Sequence, residues 1–434
     1  MRLVWRISVV CVFASGPGVC LASQTSQTAL TWSEIRDRFR ATNPTLQAGQ
    51  IGIEEAKATE LTAFLRPNPQ CSVTFDQVGH TVTSESAPGN IFSASTLLGN
   101  CSYLHEREHK RELRRDSAQH GSAIAASAQA DLERTLLFTL RSAFVQVLQA
   151  KAFRTLAQAN LASYDQVLGV SRGRLQAGDI AQLDLDRLEL QRVTYESDVQ
   201  TAEVSLQTAK IQLLRLLNDQ ATPVEQFDVS GPFDFVALSQ TPDELRRTAL
   251  DIRPDLRAAV QAIDRARTDH RLAIANGSTD PTIAVDGGVP AISQAFLSYQ
   301  PPLRQYVGAS VGVPIRLFDR NQGEKLRTDL DVTRTERLAD AARLQVIGDV
   351  DTAYATVMST VALLQPYKDR YLDAAARVRD TVTAAYQRSG VSLVDFLQAQ
   401  QEYRAVQVSY VNLTAAFLNA ANQLNLAIGR EVIP

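Results

Sequence analysis

The sequence predicts a mainly α protein with a small β part, built from long antiparallel helical hairpins. Three observations predict it. Pro is sparse inside very long stretches rich in Ala, Leu, Gln, Arg and Glu, a composition suited to long helices rather than a compact mixed fold. Two such stretches, about 107–176 and 320–388, keep apolar residues at helical spacing. The chain also repeats itself, and an internal repeat constrains architecture more than any local pattern.

At the N-terminus, Arg2 and Arg6 precede an apolar run from Ile7 to Ala14, a Gly16-Pro17-Gly18 break and Cys20-Leu21-Ala22. These are the parts of a secretory signal over residues 1–22, with cleavage expected after Ala22 or Ser23. A lipoprotein reading of Cys20 competes with it, although Pro17 and Val19 stand where small or leucine-like residues are expected. No later segment offers ~18 uninterrupted apolar residues, so any membrane span of the exported chain has to be made of strands. The net charge of −3 gives no clustered basic surface of the kind nucleic acid requires. Cys71 and Cys101 are the cysteines left after the signal, and an exported pair is a disulfide candidate.

The first unit spans residues 23–218 and the second 241–434, with a linker over 219–240. Pro44 matches Pro254, Leu46 matches Leu256 and Ala56 matches Ala266. Each copy then leaves its helix through a breaker and enters alternating, strand-like runs, near 70–78 and 95–104 in the first and 281–289 and 305–316 in the second. Leu136, Leu140, Ala143 and Val147 match Val346, Val350, Ala353 and Val357, both sets at the alternating spacing of a helix packed along one seam. Further on Gly178 matches Gly390 and Asp184 matches Asp395, so each long helix turns at a glycine and returns. A run of ~70 residues is on the order of 100 Å long. The returning helices are about half that, so helices at 31–66 and 241–276 must continue their path. The product is an elongated helical wall.

The last strand is the cleanest: Val307, Ala309, Val311, Val313 and Ile315 point one way, and Tyr306, Gly308, Ser310 and Gly312 the other. A half-buried sheet of a soluble protein would look the same taken strand by strand. Four strands with open edges cannot cross a bilayer alone, because edge groups would be unsatisfied in hydrocarbon, but several copies could close a barrel together. Two, three or four copies would all close it. For the cysteines, pairing 71 with 101 centres a hairpin on Ser86 in the turn-prone "SESAPGN" and sets Val73 opposite Gly99 and Phe75 opposite Leu97. The competing reading is two unpaired cysteines acting as small apolar residues.

Residues 105–109 read H-E-R-E-H, which fits the zinc-protease pattern HExxH. Its context does not: Lys110, Arg111, Arg114 and Arg115 follow and would oppose a dication, and Glu133 lies too far along the same helix to fold back. The stretch is read as a polar belt where the second strand meets the long helix, parallel to Phe318–Glu324 in the second copy, with no metal site and no catalytic residue.

With the duplicated unit, the strings "YQRSGVSLVDFLQAQQEY" at 386–403 and "VPIRLFDRNQGEKLR" at 313–327 are similar to the TolC-type outer-membrane efflux proteins over nearly all of the chain after the signal. The FDRNQGE wording looks most like the branch associated with cobalt, zinc and cadmium efflux. The resemblance implies a homotrimer whose twelve strands form a barrel in the bacterial outer membrane, in contact with its lipid, above a periplasmic helical tunnel. It implies a passive duct completed by a periplasmic adaptor protein and an inner-membrane transporter, with no cofactor and no enzyme activity. It also implies a ring of acidic residues at the periplasmic entrance: Asp395 stands at the first position and Asp184 is its counterpart, while Gln398 stands where a second acid would be. Capping of the returning helices is the other reading of Asp184 and Asp395. An exported coiled-coil scaffold or adhesin without a pore fits the helical periodicity as well, although strand pairs in both copies speak against it.

Overall fold

A computed structural model describes residues 29–76, 96–236, 240–290 and 305–433. The signal segment, with Cys20, and the expected hairpin turn at Ser86 lie outside them. α1 (Trp32–Thr42) and α2 (Pro44–Ala63) lead into β1 (Gln70–Asp76) and β2 (Thr96–Leu104), and then into α3 (Lys110–Gln176) and α4 (Gln182–Leu216). The second half follows the same plan: α5 (Pro242–Ile252), α6 (Pro254–Ala275), β3 (Thr282–Pro290), β4 (Tyr306–Gly312), α7 (Gln322–Pro366), a π turn (Tyr367–Tyr371), α8 (Leu372–Gln387) and α9 (Leu393–Ile428). α3 is 67 residues long, on the order of 100 Å.

Each copy begins with a broken helix pair, for a local reason. Pro44 and Pro254 lack an N–H and disfavour helix at the preceding residue, so Asn43 and Arg253 are extended, with ψ of 117° and 125°. Asn43 Oδ1 accepts from the N–H groups of Thr45 and Leu46 at 3.0 and 3.1 Å, capping α2. Leu46 and Leu256, matched in the sequence, are both buried.

The second long run is not one helix. Asp184 follows Val147 by 37 positions, whereas Asp395 follows Val357 by 38, so the second copy carries one extra residue. A π turn absorbs one residue without breaking the hydrogen-bond ladder, and the π turn after Pro366 falls in this interval. Lys368 reaches from it to Asp234 at 2.7 and 2.9 Å and lies over the Phe235 ring.

Three apolar clusters hold the wall together. Ile35, Phe39, Leu140, Val147, Leu213 and Leu217 form the first. Val346, Val350, Val357, Phe417, Leu424 and Ile428 form the second, around the matching seam. The expected linker is part of this packing, since Phe227 and Val229 are buried in the first cluster and Leu30 bridges to Val229. The third cluster lies far from the sheet, where Tyr164 stacks on Tyr195 and Tyr386 on Phe396.

Near the sheet the helices lie side by side in the order α2, α3, α6, α7. This leaves α2 and α7 as edges, and Leu61, Leu326, Leu330 and Leu338 are more than half exposed on them.

Candidate channel surfaces and family

The four strands form one antiparallel sheet in the order β1-β2-β3-β4. Residues directly opposite in such a ladder share a face. One face carries Cys71 and Val73, then Cys101 and Tyr103, then Ile283 and Val285, then Val307, Ala309 and Val311. The other carries Ser72, Asn100, Asp286 and Gly308 in one row, and Gln70, Ser102, Ala284 and Ser310 in the next. A Cβ on Gly308 would stand 2.8 Å from the Asp286 carboxylate, so the glycine makes room for the acid on the polar face. Among the described residues nothing lies against the apolar face: Val307 is 84% exposed, Val73 70% and Val285 52%.

One detail of this surface differs from expectation, and a second bears on depth. β4 ends at Gly312, so Val313 and Ile315 lie beyond the strand, in the exit toward α7. Val311 pairs with Ile283 one rung from the helix end of the ladder, whereas Val285 pairs with Ala309 about two residues deeper. At ~3.3 Å per residue the deeper pair is the one far from the rim.

Cys71 and Cys101 are direct cross-strand partners and their sulfurs are joined, with Val73 opposite Gly99 and Phe75 opposite Leu97. The bridge closes a segment with a sequence separation of 30. In the chain-entropy model such a crosslink contributes about 3–4 kcal/mol. Cys101→Ser, compared with wild type with and without reductant, is expected to lower the unfolding midpoint in guanidinium; the same midpoint in both proteins would assign the bridge no energetic role.

At the rim, the H-E-R-E-H stretch forms a structural joint. His105 and His109 do not share a helical turn, because Glu108 and His109 have φ of 55° and 53° and α3 starts only at Lys110. The His105 N–H donates to the Pro281 carbonyl at 2.9 Å, and the Arg107 N–H to Asp280 at 3.0 Å. Buried Lys110 donates to Asp280 at 2.6 Å, and Glu106 pairs with Arg114 through both oxygens. Asp280, Lys110, Glu106 and Arg114 are thus engaged in joining β2, β3 and α3. Among the described residues no group of three or more His, Cys, Asp or Glu side chains is placed to hold a metal ion. The second copy repeats the device: Asn321, with φ of 63°, precedes α7, and its side chain donates to the Ala273 carbonyl at 2.8 Å.

At the far tips the two turns are built alike, one position away from the expected match. Gly178, with φ of 82°, ends α3, and the following Asp179 N–H donates to the Arg174 carbonyl at 2.9 Å. In the second tip the left-handed residue is Ser389, with φ of 61°, not Gly390; the Gly390 N–H donates to the Ala385 carbonyl at 2.8 Å. Ser389 is therefore the counterpart of Gly178. A left-handed non-glycine residue costs on the order of 1 kcal/mol. Arg174 of the first tip supports it, donating to Ser389 Oγ at 2.6 Å and to the Tyr386 carbonyl at 2.8 Å, with its guanidinium over the Tyr386 ring. Nothing in the sequence pattern singled out Arg174, because its partners lie in the other copy.

Asp395 and Asp184, both in the first turn of a returning helix, are held differently. Asp395 forms a capping box, its N–H donating to Ser392 Oγ at 3.2 Å and its carboxylate accepting from the Ser392 N–H and hydroxyl at 3.2 and 2.7 Å. Asp184 has Ala181 at its N-cap, and its carboxylate faces Arg187 at 4.0 Å. Gln398 is exposed and donates to Glu402 at 2.9 Å.

An apolar-faced sheet with open edges is thus joined at the rim to a helical wall. The family model for outer membrane efflux proteins matches residues 245–430, the second copy. The chain is similar over most of its length to outer-membrane efflux proteins. It is 24% identical over 356 residues to the pyoverdine export outer membrane protein OpmQ of Pseudomonas aeruginosa, covering 81% of this chain and 72% of the relative. It is 23% identical over 394 residues to the cobalt-zinc-cadmium resistance protein CzcC of Cupriavidus metallidurans, covering 89% and 87%. The crystal structure of CusC superposes with a TM-score of 0.71 at 17% identity, over 92% of each chain. The family places this efflux protein in the outer membrane, with its helical part in the periplasm. Its members are channel proteins.

Proposed function

We propose that three copies of this chain assemble into a 12-stranded barrel and a continuous periplasmic tunnel. In this reading the assembly is the passive exit duct of a tripartite pump, completed by a periplasmic adaptor and an inner-membrane transporter. The single observation carrying this reading is the open sheet. Its β1 and β4 edges have no partner among the described residues, and its apolar face has no cover. In hydrocarbon both needs are met only by closing the sheet with further copies, while lipid covers the apolar face. The exposed leucines on α2 and α7 continue the same edges below the rim and fit the same neighbours.

The cargo class that fits is a heavy-metal cation or a small toxic compound. OpmQ and CzcC, named for different cargos, match to similar extents, and selection is assigned to the pump. At the tunnel's far end, three copies bring Asp395 and Asp184 near one axis, where repelling carboxylates would favour bound cations. The cap geometry of Asp395 is compatible with this, since its carboxylate remains exposed at the tip.

Single-channel recording in planar bilayers tests both levels. A pore from the purified trimer supports the duct; no pore, with extraction by buffer or high salt in place of detergent, would support the scaffold. Asp395→Asn, which retains much of the capping ability, is expected to weaken divalent block of the pore. Equal block in the two proteins would leave Asp395 as a cap only.

A further inference from the structure

Midway along the wall, where α1 crosses α3 beside the end of α9, lies a cavity of about 360 Å³, within the range of small-molecule sites. Five arginines line it (Arg36, Arg40, Arg134, Arg141 and Arg430) against two glutamates, Glu133 and Glu431. Three of the arginines are occupied. Arg40 donates to Glu133 at 2.6 Å, Arg36 lies 3.6 Å from Glu431, and Arg134 pairs with Asp131 at 2.6 Å and also bonds the Leu426 carbonyl. Glu431 is taken as well, accepting from Trp32 Nε1 at 2.8 Å.

Arg141 is different. Among the described residues it forms no ion pair, and its guanidinium lies 4.6 Å from the Trp32 ring and 5.7 Å from the Phe144 ring. Burial holds its pKa below the ordinary arginine range, with distant Glu431 opposing the shift. Aromatic rings satisfy the faces of a guanidinium, not its edge, so the N–H donors of Arg141 remain free to form the fork that matches a carboxylate or phosphate. Trp32, Leu137 and Phe138 add an apolar wall to the same cavity, and Arg430, exposed at its mouth, adds a second cation without an ion-pair partner among the described residues.

We propose that this cavity binds a small amphiphilic anion, an oxyanion head on an apolar body, with Arg141 receiving the head and Trp32, Leu137 and Phe138 the body. A soluble compound and a lipid fragment share this chemistry. The site lies along the helical wall, away from both the sheet and the tips.

Trp5 and Trp32 are the two tryptophans of the sequence, and Trp5 lies in the expected signal segment, so in the exported chain Trp32 is the reporter inside the site. The full-length protein, purified in a neutral maltoside, is titrated with phenyl phosphate and, separately, with monomeric dihexanoyl phosphatidic acid. Saturable change in Trp32 fluorescence below 1 mM is expected with at least one probe. A response to phenyl phosphate assigns the site to soluble anions, and a response to the phosphatidic acid alone assigns it to lipid. Arg141→Gln should weaken binding at least tenfold and Arg141→Lys less. Arg430→Gln, at the exposed mouth, should weaken it several-fold and serves if the Arg141 variants fail to fold. The proposal is overturned if neither probe saturates, if binding survives Arg141→Gln and Arg430→Gln unchanged, or if the protein ignores both probes while Arg141→Gln dissociates the oligomer, which would make Arg141 a subunit contact.

Discussion

Val285→Arg is expected to abolish assembly of the channel in the outer membrane, while Val311→Arg reduces it. Both valines are on the apolar face, with 52% and 67% of their surface uncovered in one chain. Depth separates them. Val311 pairs with Ile283 next to the last rung, Thr282 with Gly312, about 3 Å from the helix end of the ladder; Val285 stands three residues in from Thr282, roughly 10 Å along the strand. The cost of a lipid-facing Arg is ~2–4 kcal/mol at the midplane and falls to ~0–1 near the interface, where the long side chain reaches the headgroups. Three copies multiply the deeper cost to on the order of 6–12 kcal/mol per assembly, comparable with the whole stability of a folded domain. Membrane fractionation and trimer yield on gels check this. Equal yields for both variants would remove the depth ordering, and normal yield for Val285→Arg would reverse the assignment of the faces.

Arg253→Ala is expected to destabilise the helical wall by about 3–5 kcal/mol, the usual cost of removing one partner from a buried ion pair. Arg253 is 4% exposed at the α5–α6 break. Its guanidinium donates to both oxygens of Asp255, at 3.0 and 2.6 Å, to Asp349 on α7 at 2.8 Å, and to the Ala427 carbonyl at the end of α9 at 3.1 Å. One side chain thereby ties α6 to α7 and α9. Arg246→Ala, which breaks the more exposed pairs with Asp243 and Asp351, should shift stability far less and serves as the control. Equal thermal shifts for the two variants would deny Arg253 its central role.

The same network predicts an acid limb. Burial raises the Asp255 pKa, but the Arg253 hydrogen bonds and charge outweigh it and hold the carboxyl below the ordinary aspartate range. A carboxyl depressed on folding stabilises the fold above its unfolded pKa, and this contribution is lost as pH falls through the folded value. The melting temperature should therefore be insensitive to Asp255 from pH 5 to 8 and decline below about pH 4, less steeply in Asp255→Asn.

Much of this protein could be read directly from its residues. The seam from Leu140 to Val147 and its copy from Val350 to Val357 are buried because their spacing leaves no other face to bury. Strand pairing followed from the cysteines, since a register that joins Cys71 to Cys101 fixes every other rung of β1 and β2. The breaks before Pro44 and Pro254 follow from the proline ring itself.

Other features depended on distant neighbours. Ser389 occupies the left-handed position of the second tip, and Arg174, more than two hundred residues earlier, bonds its side chain. The π turn after Pro366 records a one-residue difference between copies that shows only when both are aligned on their buried seams. Periodicity likewise marks Val311 as outward, but the face of Val285 and the depth of both in the bilayer are properties of the assembled ladder. The unpaired guanidinium of Arg141 depends on which carboxylates the fold has already assigned to Arg36, Arg40 and Arg134. Local pattern determined helix, strand, repeat and family because these rest on spacing within one segment. Tertiary structure decided turn residues, depth and charge pairing, because each is settled by what a second segment brings within hydrogen-bond or ion-pair distance.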